Sequence, residues 1–155
     1  GMLDVGREKI AARGWNDRIE LIQGDSVALP FDDNTFDGYT VAFGVRNFED
    51  LQGGLRDMCR VLKPGAMGLV LEFSKPKRFP IKQVFGLYFK HIMPTVGKWV
   101  SKDPSAYTYL PESVQAFPEG ESFLEEMRKA GYEDVCAQGL TGGIATIYTG
   151  RKPQS

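Results

Sequence analysis

Three short stretches of the chain carry side chains suited to holding and orienting a polar ligand: Gly24-Asp25-Ser26, Ala42-Phe43-Gly44-Val45-Arg46-Asn47 and Glu72-Phe73-Ser74. They offer two carboxylates, a permanent cation, an amide and two hydroxyls. The third raises a question by itself, because Glu72 closes an apolar run that begins at Met67, and acids rarely end buried strands. His91, the only histidine, is a candidate for proton transfer near neutral pH, with a structural role the commoner reading. Taken singly, each residue has an ordinary reading: Asp25 caps a turn, Arg46 pairs with a surface acid, and Glu72 ends its strand in water. Taken together on one rim, they read as a binding site.

Whether they meet depends on the elements that carry them. Residues 3–13 are good helix formers stopped by Gly14, and 18–23 (RIELIQ) alternate like a short strand. Turn residues crowd 24–34. The apolar, aromatic run 36–43 (FDGYTVAF) predicts a strand covered on both faces in a parallel sheet. Leu51, Leu55, Met58, Cys59 and Leu62 recur at helical spacing, closed by Lys63-Pro64-Gly65, and 67–73 is a second buried strand. Strand, helix and strand in that order form a right-handed crossover, so the fold class is α/β. A helix starting at Pro118 carries Phe123, Leu124, Met127 and Ala130 and is capped by Gly131. Two strands near Val135 and over 144–149 flank Gly142-Gly143 and form a hairpin, so the last strand is antiparallel. Ligands of open α/β sheets sit beyond the carboxyl ends of the strands, where all three stretches fall.

Composition narrows the class. The chain has 155 residues, 42% hydrophobic and 25% charged, enough for one domain over 1–155 and no more. A formal net charge of -1 gives no general attraction to nucleic acid. Cys59 and Cys136 are too few and too scattered for a disulfide framework or a metal site, which fits a reducing cytoplasm. No apolar run is long enough to span a bilayer, and no charged-then-apolar stretch occurs, so neither a membrane span nor a secretory signal is expected of these residues.

The stretch RVLKPGAMGLVLEFS resembles the signature of the UbiE-type ubiquinone/menaquinone biosynthesis C-methyltransferases, with Ala66 where that family usually repeats glycine. The similarity extends through MLDVGREKI, ALPFDDNTFD, VAFGVRNFED, HIMPTVG, YTYLPESV and LTGGIATIYTG, nearly the whole chain. It implies a Rossmann-like class I methyltransferase sheet, mostly parallel with an antiparallel C-terminal strand, in the order 3-2-1-4-5-7-6. It also implies S-adenosyl-L-methionine as methyl donor and a polyprenylated quinol, of the menaquinone or ubiquinone pathway, as acceptor. By the same resemblance, Asp25 and Ser26 match the loop that contacts the adenine, and Ala42 the strand end lining the methionine side, where the family often has serine. Arg46 and Asn47 match the reacting end. Methylating a quinol ring carbon requires electron density from a ring hydroxyl, so Arg46 would stabilise the phenolate and Asn47 orient it. Glu72 would hold the rim in place.

The family's cofactor site begins with a glycine-rich strand-loop-helix and an acid for the ribose. Neither is present in 1–155, so the chain reads as a partial methyltransferase domain lacking its N-terminal glycine-rich part, with an incomplete cofactor site and no activity alone. The two strands so lost would sit between 18–23 and 36–43, leaving 36–43 an open edge that either 18–23 slides across to pair or a second copy covers; the exposed apolar faces favour the second, a homo-oligomer. A non-catalytic lipid- or protein-binding fragment is the alternative. A nicotinamide-dependent oxidoreductase is disfavoured by the same missing fingerprint. Residues 74–102 contain seven Lys or Arg, no acid, and Phe79, Phe85, Tyr88, Phe89, Met93 and Trp99. That mixture suits an apolar-tail cover or peripheral contact with the anionic inner membrane face, or else a solvated basic face over core aromatics.

Overall fold

The computed structural model describes residues 1–88 and 113–154. Their central element is a four-stranded sheet in the order β1-β2-β4-β3, with β1 Phe36–Ala42, β2 Leu62–Phe73, β3 Glu133–Leu140 and β4 Ala145–Arg151. β1 pairs parallel with β2, while β4 runs antiparallel to both β2 and β3, so three strands point one way and β4 the other. The expected crossover is present: β1 leads through helix α2 (Leu51–Val61) into β2. Helices α1 (Met2–Ala12), α3 (Ile81–Leu87) and α4 (Glu121–Lys129) complete the regular elements needed here.

Helix α2 starts where Asp50 accepts a hydrogen bond from the Gly53 amide at 2.9 Å, satisfying one of the free donors of the first turn. Its apolar stripe buries Leu55, Met58 and Cys59 on the sheet, and Leu62, just past its end, is also buried. α4 lays Phe123 and Met127 on the same cluster, where Phe123 meets Tyr148 of β4 edge-on at 4.6 Å. Gln52 of α2 donates to the Glu126 carbonyl of α4 at 2.9 Å, tying the two helices together over one face of the sheet. Full burial of such side chains supplies about 1.5–3 kcal/mol each, which is what holds the helices down.

Register decides which residues share that covered face. Tyr39 and Val41 sit beside Gly68 and Val70, and Val70 and Glu72 sit beside Tyr148 and Thr146, so this row lies under the helices. Thr40 and Ala42, beside Leu69 and Leu71, lie on the other face. A side chain on Gly68 would meet the Tyr39 ring at 2.4 Å; its absence lets that ring cross β2 toward Tyr132.

Several expectations are corrected. Residues 18–23 are not a strand: a strand exists only when paired, and Leu21 instead packs on Gly6 of α1, its carbonyl accepting from Arg7 at 3.3 Å. β1 is not covered on both faces; Thr40 and Ala42 are exposed, and no described strand pairs with its outer edge. Lys63-Pro64-Gly65 do not close α2, because the chain turns extended at Leu62 and Gly65 bonds to Lys152 at 2.9 Å. Helix α4 begins at Glu121, three residues after Pro118, with Gly120 at positive φ as its N-cap. Ala66 is not among the residues with positive φ, so alanine there brings no left-handed strain.

Candidate functional site

At the carboxyl end of β1 the chain leaves the ladder abruptly. Phe43 keeps a last amide bond to the Leu71 carbonyl at 2.8 Å, but its φ of 56° is left-handed, unusual for an aromatic residue and costing about 1–3 kcal/mol. Gly44 and the tight turn Val45–Asn47 then fold back over the end of β2, anchored by the buried Val45. This reversal carries the Arg46 side chain under the turn. There Nη1 donates to the Phe43 carbonyl at 2.6 Å and to Glu72 Oε1 at 2.7 Å, and the guanidinium lies 5.5 Å from the Phe73 ring centre.

Glu72 answers the question raised by the sequence. It faces the helix-covered side and has no exposed surface, while Arg46 retains 11%. Oε1 also accepts from the Phe73 amide at 3.0 Å, and Oε2 from the Arg46 amide at 3.3 Å, so both carboxylate oxygens are bonded. A buried carboxylate is tolerated only with such compensation. The reading of Glu72 as a strand end in water is therefore wrong, and Arg46 pairs with a buried acid, not a surface one. Arg46 Nε is buried and has no hydrogen-bond partner among the described residues. Beside the pair opens a cavity of about 410 Å³ lined by Val45, Arg46, Phe48, Leu51, Ser113 and Phe117.

Two of the three rim stretches are thus joined. Asn47 and Ala42 stand exposed at the same strand end. The third lies apart: Asp25 Oδ1 accepts from the Val27 amide at 3.1 Å in a local turn, and Ser26 borders an apolar groove of about 430 Å³ along the outer edge of β1. Phe48 lines both the groove and the Arg46 cavity. Ser74 is spent on structure, its hydroxyl donating to the Gly143 carbonyl and accepting from Thr146, each at 2.9 Å. His91 lies outside the described residues. Sequence reasoning missed Phe43 and Phe73, whose rings pack at 4.4 Å, the Phe73 ring lying against the guanidinium; the signals for them were the aromatic before Gly44 and the one after Glu72.

The loop carrying Asp25 is pinned to α2 by two of its residues. Asp57 accepts from the Leu29 amide at 2.6 Å, and Arg60 donates to the Leu29 and Phe31 carbonyls at 3.1 and 2.8 Å. Arg60 also bonds Asp57 at 2.7 Å, and this bond holds the Asp57 carboxyl below the usual carboxylate range. No group of three or more His, Cys, Asp or Glu able to hold a metal occurs among the described residues.

The sequence profile of the ubiE/COQ5 methyltransferase family matches residues 1–152. The chain belongs to this family. It is similar to a demethylmenaquinone methyltransferase of Bacteroides fragilis, 49% identical over 152 residues that cover 98% of this chain and 62% of the relative. A ubiquinone/menaquinone biosynthesis C-methyltransferase UbiE of Idiomarina loihiensis is 46% identical over 97% of this chain and 60% of its own length. The chain thus spans about three-fifths of the curated relatives it matches. Among solved structures, a SAM-dependent methyltransferase of Aquifex aeolicus superposes with a TM-score of 0.63 at 19% identity, over 96% of this chain and 62% of that one, which shows the fold. That fold is the Rossmann-like class I methyltransferase sheet, and β1-β2-β4-β3 corresponds to the run 4-5-7-6 of its strand order.

Proposed function

We propose that residues 1–155 form one partial domain of an S-adenosylmethionine-dependent C-methyltransferase acting on a polyprenylated quinol. Family membership supplies the reaction class, and the observation that carries the site is the buried Arg46–Glu72 pair at the β1–β2 rim, opening on a cavity lined mostly by apolar side chains. Arg46 steadies the oxyanion of the ring hydroxyl. Because Glu72 offsets its charge, the contribution is directional hydrogen bonding more than a bare cation's field. Asn47, exposed beside it, orients the same oxygen.

The cofactor's adenine end fits Asp25, whose exposed carboxylate is an acceptor for an exocyclic amine, and Ser26 at the head of the apolar groove. At Ala42 only backbone is offered. When bound, S-adenosylmethionine supplies the methyl group. These residues make half a site, so we read the chain alone as inactive and its cofactor affinity as negligible. His91 is the candidate to accept the ring proton.

The outer edge of β1, which no described strand pairs, and the half-exposed face of Leu69, Leu71 and Ile147 favour self-association of the chain. No helix among the described residues is long and apolar enough to cross a membrane. The acid-free basic stretch from Ser74, with Phe79 exposed, supports peripheral contact with the inner membrane face from the cytoplasm.

A protein of the relatives' full length that contains residues 1–155 unchanged should transfer a labelled methyl group to a short-chain demethylmenaquinol, and the chain alone should not. No transfer by the long form would overturn the enzyme reading. Transfer by the chain alone would overturn the half-site reading.

A further inference from the structure

A second cavity, also about 410 Å³, lies between the segment after β2 and the β3–β4 turn, lined in part by Lys75, Lys77, Arg78, Glu119, Gly142 and Gly143. Three cations face one carboxylate. Glu119 accepts from the Lys75 amide at 2.7 Å, and the Lys75 ammonium donates to the Gln115 carbonyl at 2.9 Å, so those charges have partners. Lys77 and Arg78 are exposed, and among the described residues their charged groups have neither an ion pair nor a hydrogen bond. Two unengaged cations in a concave site are an electrostatic vacancy for an anion.

The opposite wall is glycine backbone at φ 66° and 93°, for Gly142 and Gly143. A side chain at Gly142 would meet Ile81 Cδ1 at 2.2 Å, and one at Gly143 would meet Pro76 Cα at 3.4 Å. The bare turn therefore lets α3 dock against the cavity by Ile81, which fixes where the rest of α3 points. What it presents outward is apolar: Val84 is 65% and Leu87 59% exposed, and Phe79 just before the helix 81%. Lys82 adds a further positive charge on the same element.

A free phosphate would use the cations and leave the apolar side chains unexplained. An apolar peptide would use the side chains and leave the cations. An anionic phospholipid satisfies both, with phosphate in the pocket and acyl chains beside it. We propose that this cavity takes the phosphate of an anionic phospholipid headgroup, with Phe79, Val84 and Leu87 entering the acyl boundary. The inference rests on the membrane-contact reading above and sharpens it from a general basic surface to a defined site.

The test is co-sedimentation of the chain with vesicles of phosphatidylcholine alone and with one quarter phosphatidylglycerol. Binding should require phosphatidylglycerol, and the double variant Lys77→Gln/Arg78→Gln should weaken it by about thirtyfold, at roughly 1 kcal/mol per cation near an anionic surface. Soluble dihexanoyl phosphatidylglycerol should shift the amide resonances of Gly142 and Gly143. Failure of the chain to bind either vesicle overturns the membrane-contact reading itself. Phosphatidylglycerol binding that the double variant leaves intact overturns the pocket alone. Equal amide shifts from inorganic phosphate at the same concentration would make this an ordinary phosphate site and overturn the lipid assignment.

Discussion

Arg46 and Glu72, twenty-six residues apart, form a 2.7 Å ion pair in which the carboxylate is wholly buried. The pair joins the β1 turn to the end of β2 and is bonded at both Glu72 oxygens. Breaking one half leaves the other charge buried and uncompensated, which is the costly direction. Glu72→Ala should lower unfolding free energy by about 3–5 kcal/mol in urea titration. Adding Arg46→Met should return part of that loss. A double variant as unstable as the sum of the singles would show that the two residues do not act as a pair.

In a full-length enzyme, Arg46→Ala should cut kcat by about a hundredfold, the scale of losing one oxyanion donor, with cofactor Kd unchanged by calorimetry. Asp25→Ala should do the reverse, weakening the cofactor with a smaller effect on kcat. Equal losses in both quantities for Arg46→Ala would place it against the cofactor.

Asp57 makes loop anchoring pH-dependent. Its side chain is 14% exposed, and the Arg60 bond, then the Leu29 amide, favour the charged form over the opposition of burial. A carboxyl held below its unfolded value of about 3.9 stabilises the fold fully above that pH. The benefit disappears as pH falls toward the folded value. Asp57→Asn should cost about 1–2 kcal/mol near neutrality, and the gap from the parent should close below about pH 4. A gap that stays constant down to acid unfolding would remove Asp57 from this role.

Tyr39 and Tyr132 share a 2.8 Å hydroxyl contact, and Tyr132 donates to the Leu55 carbonyl at 3.1 Å. With that proton committed, Tyr39 must be the donor between them. Burial pushes both phenols above the usual tyrosine value. Tyr39→Phe removes one bond and should cost about 0.5–1.5 kcal/mol, whereas Tyr132→Phe removes two and leaves the Tyr39 hydroxyl without its acceptor, which should cost about 2–4 kcal/mol. Equal losses by thermal or urea unfolding would contradict the assigned direction.

Self-association through the β1 edge should appear as a concentration-dependent rise in sedimentation coefficient. Thr40→Lys puts a charge on the exposed face of the edge strand and should reduce it. A monomer at every concentration would refute the edge contact.

Sequence by itself determined the elements whose burial pattern is local. The apolar stripe of α2, the runs of β1 and β2, and the glycine pair of the β3–β4 turn are each set by the neighbours in the chain, as was the family likeness. Sequence placed Glu72 at one strand end and Arg46 beyond another, on one rim, but not as a pair. Their meeting depends on the parallel register that sets Ala42 beside Leu71, and on the left-handed step at Phe43 that folds the turn over β2. Residues 18–23 show the converse: their alternation is a strand pattern, yet a strand needs hydrogen-bonding partners that pattern cannot supply. Coverage of β1 on one face only was likewise decided by where the helices pack. Local propensity reads along the chain, whereas charge compensation and strand pairing are settled between segments that only the tertiary fold brings within a few ångströms.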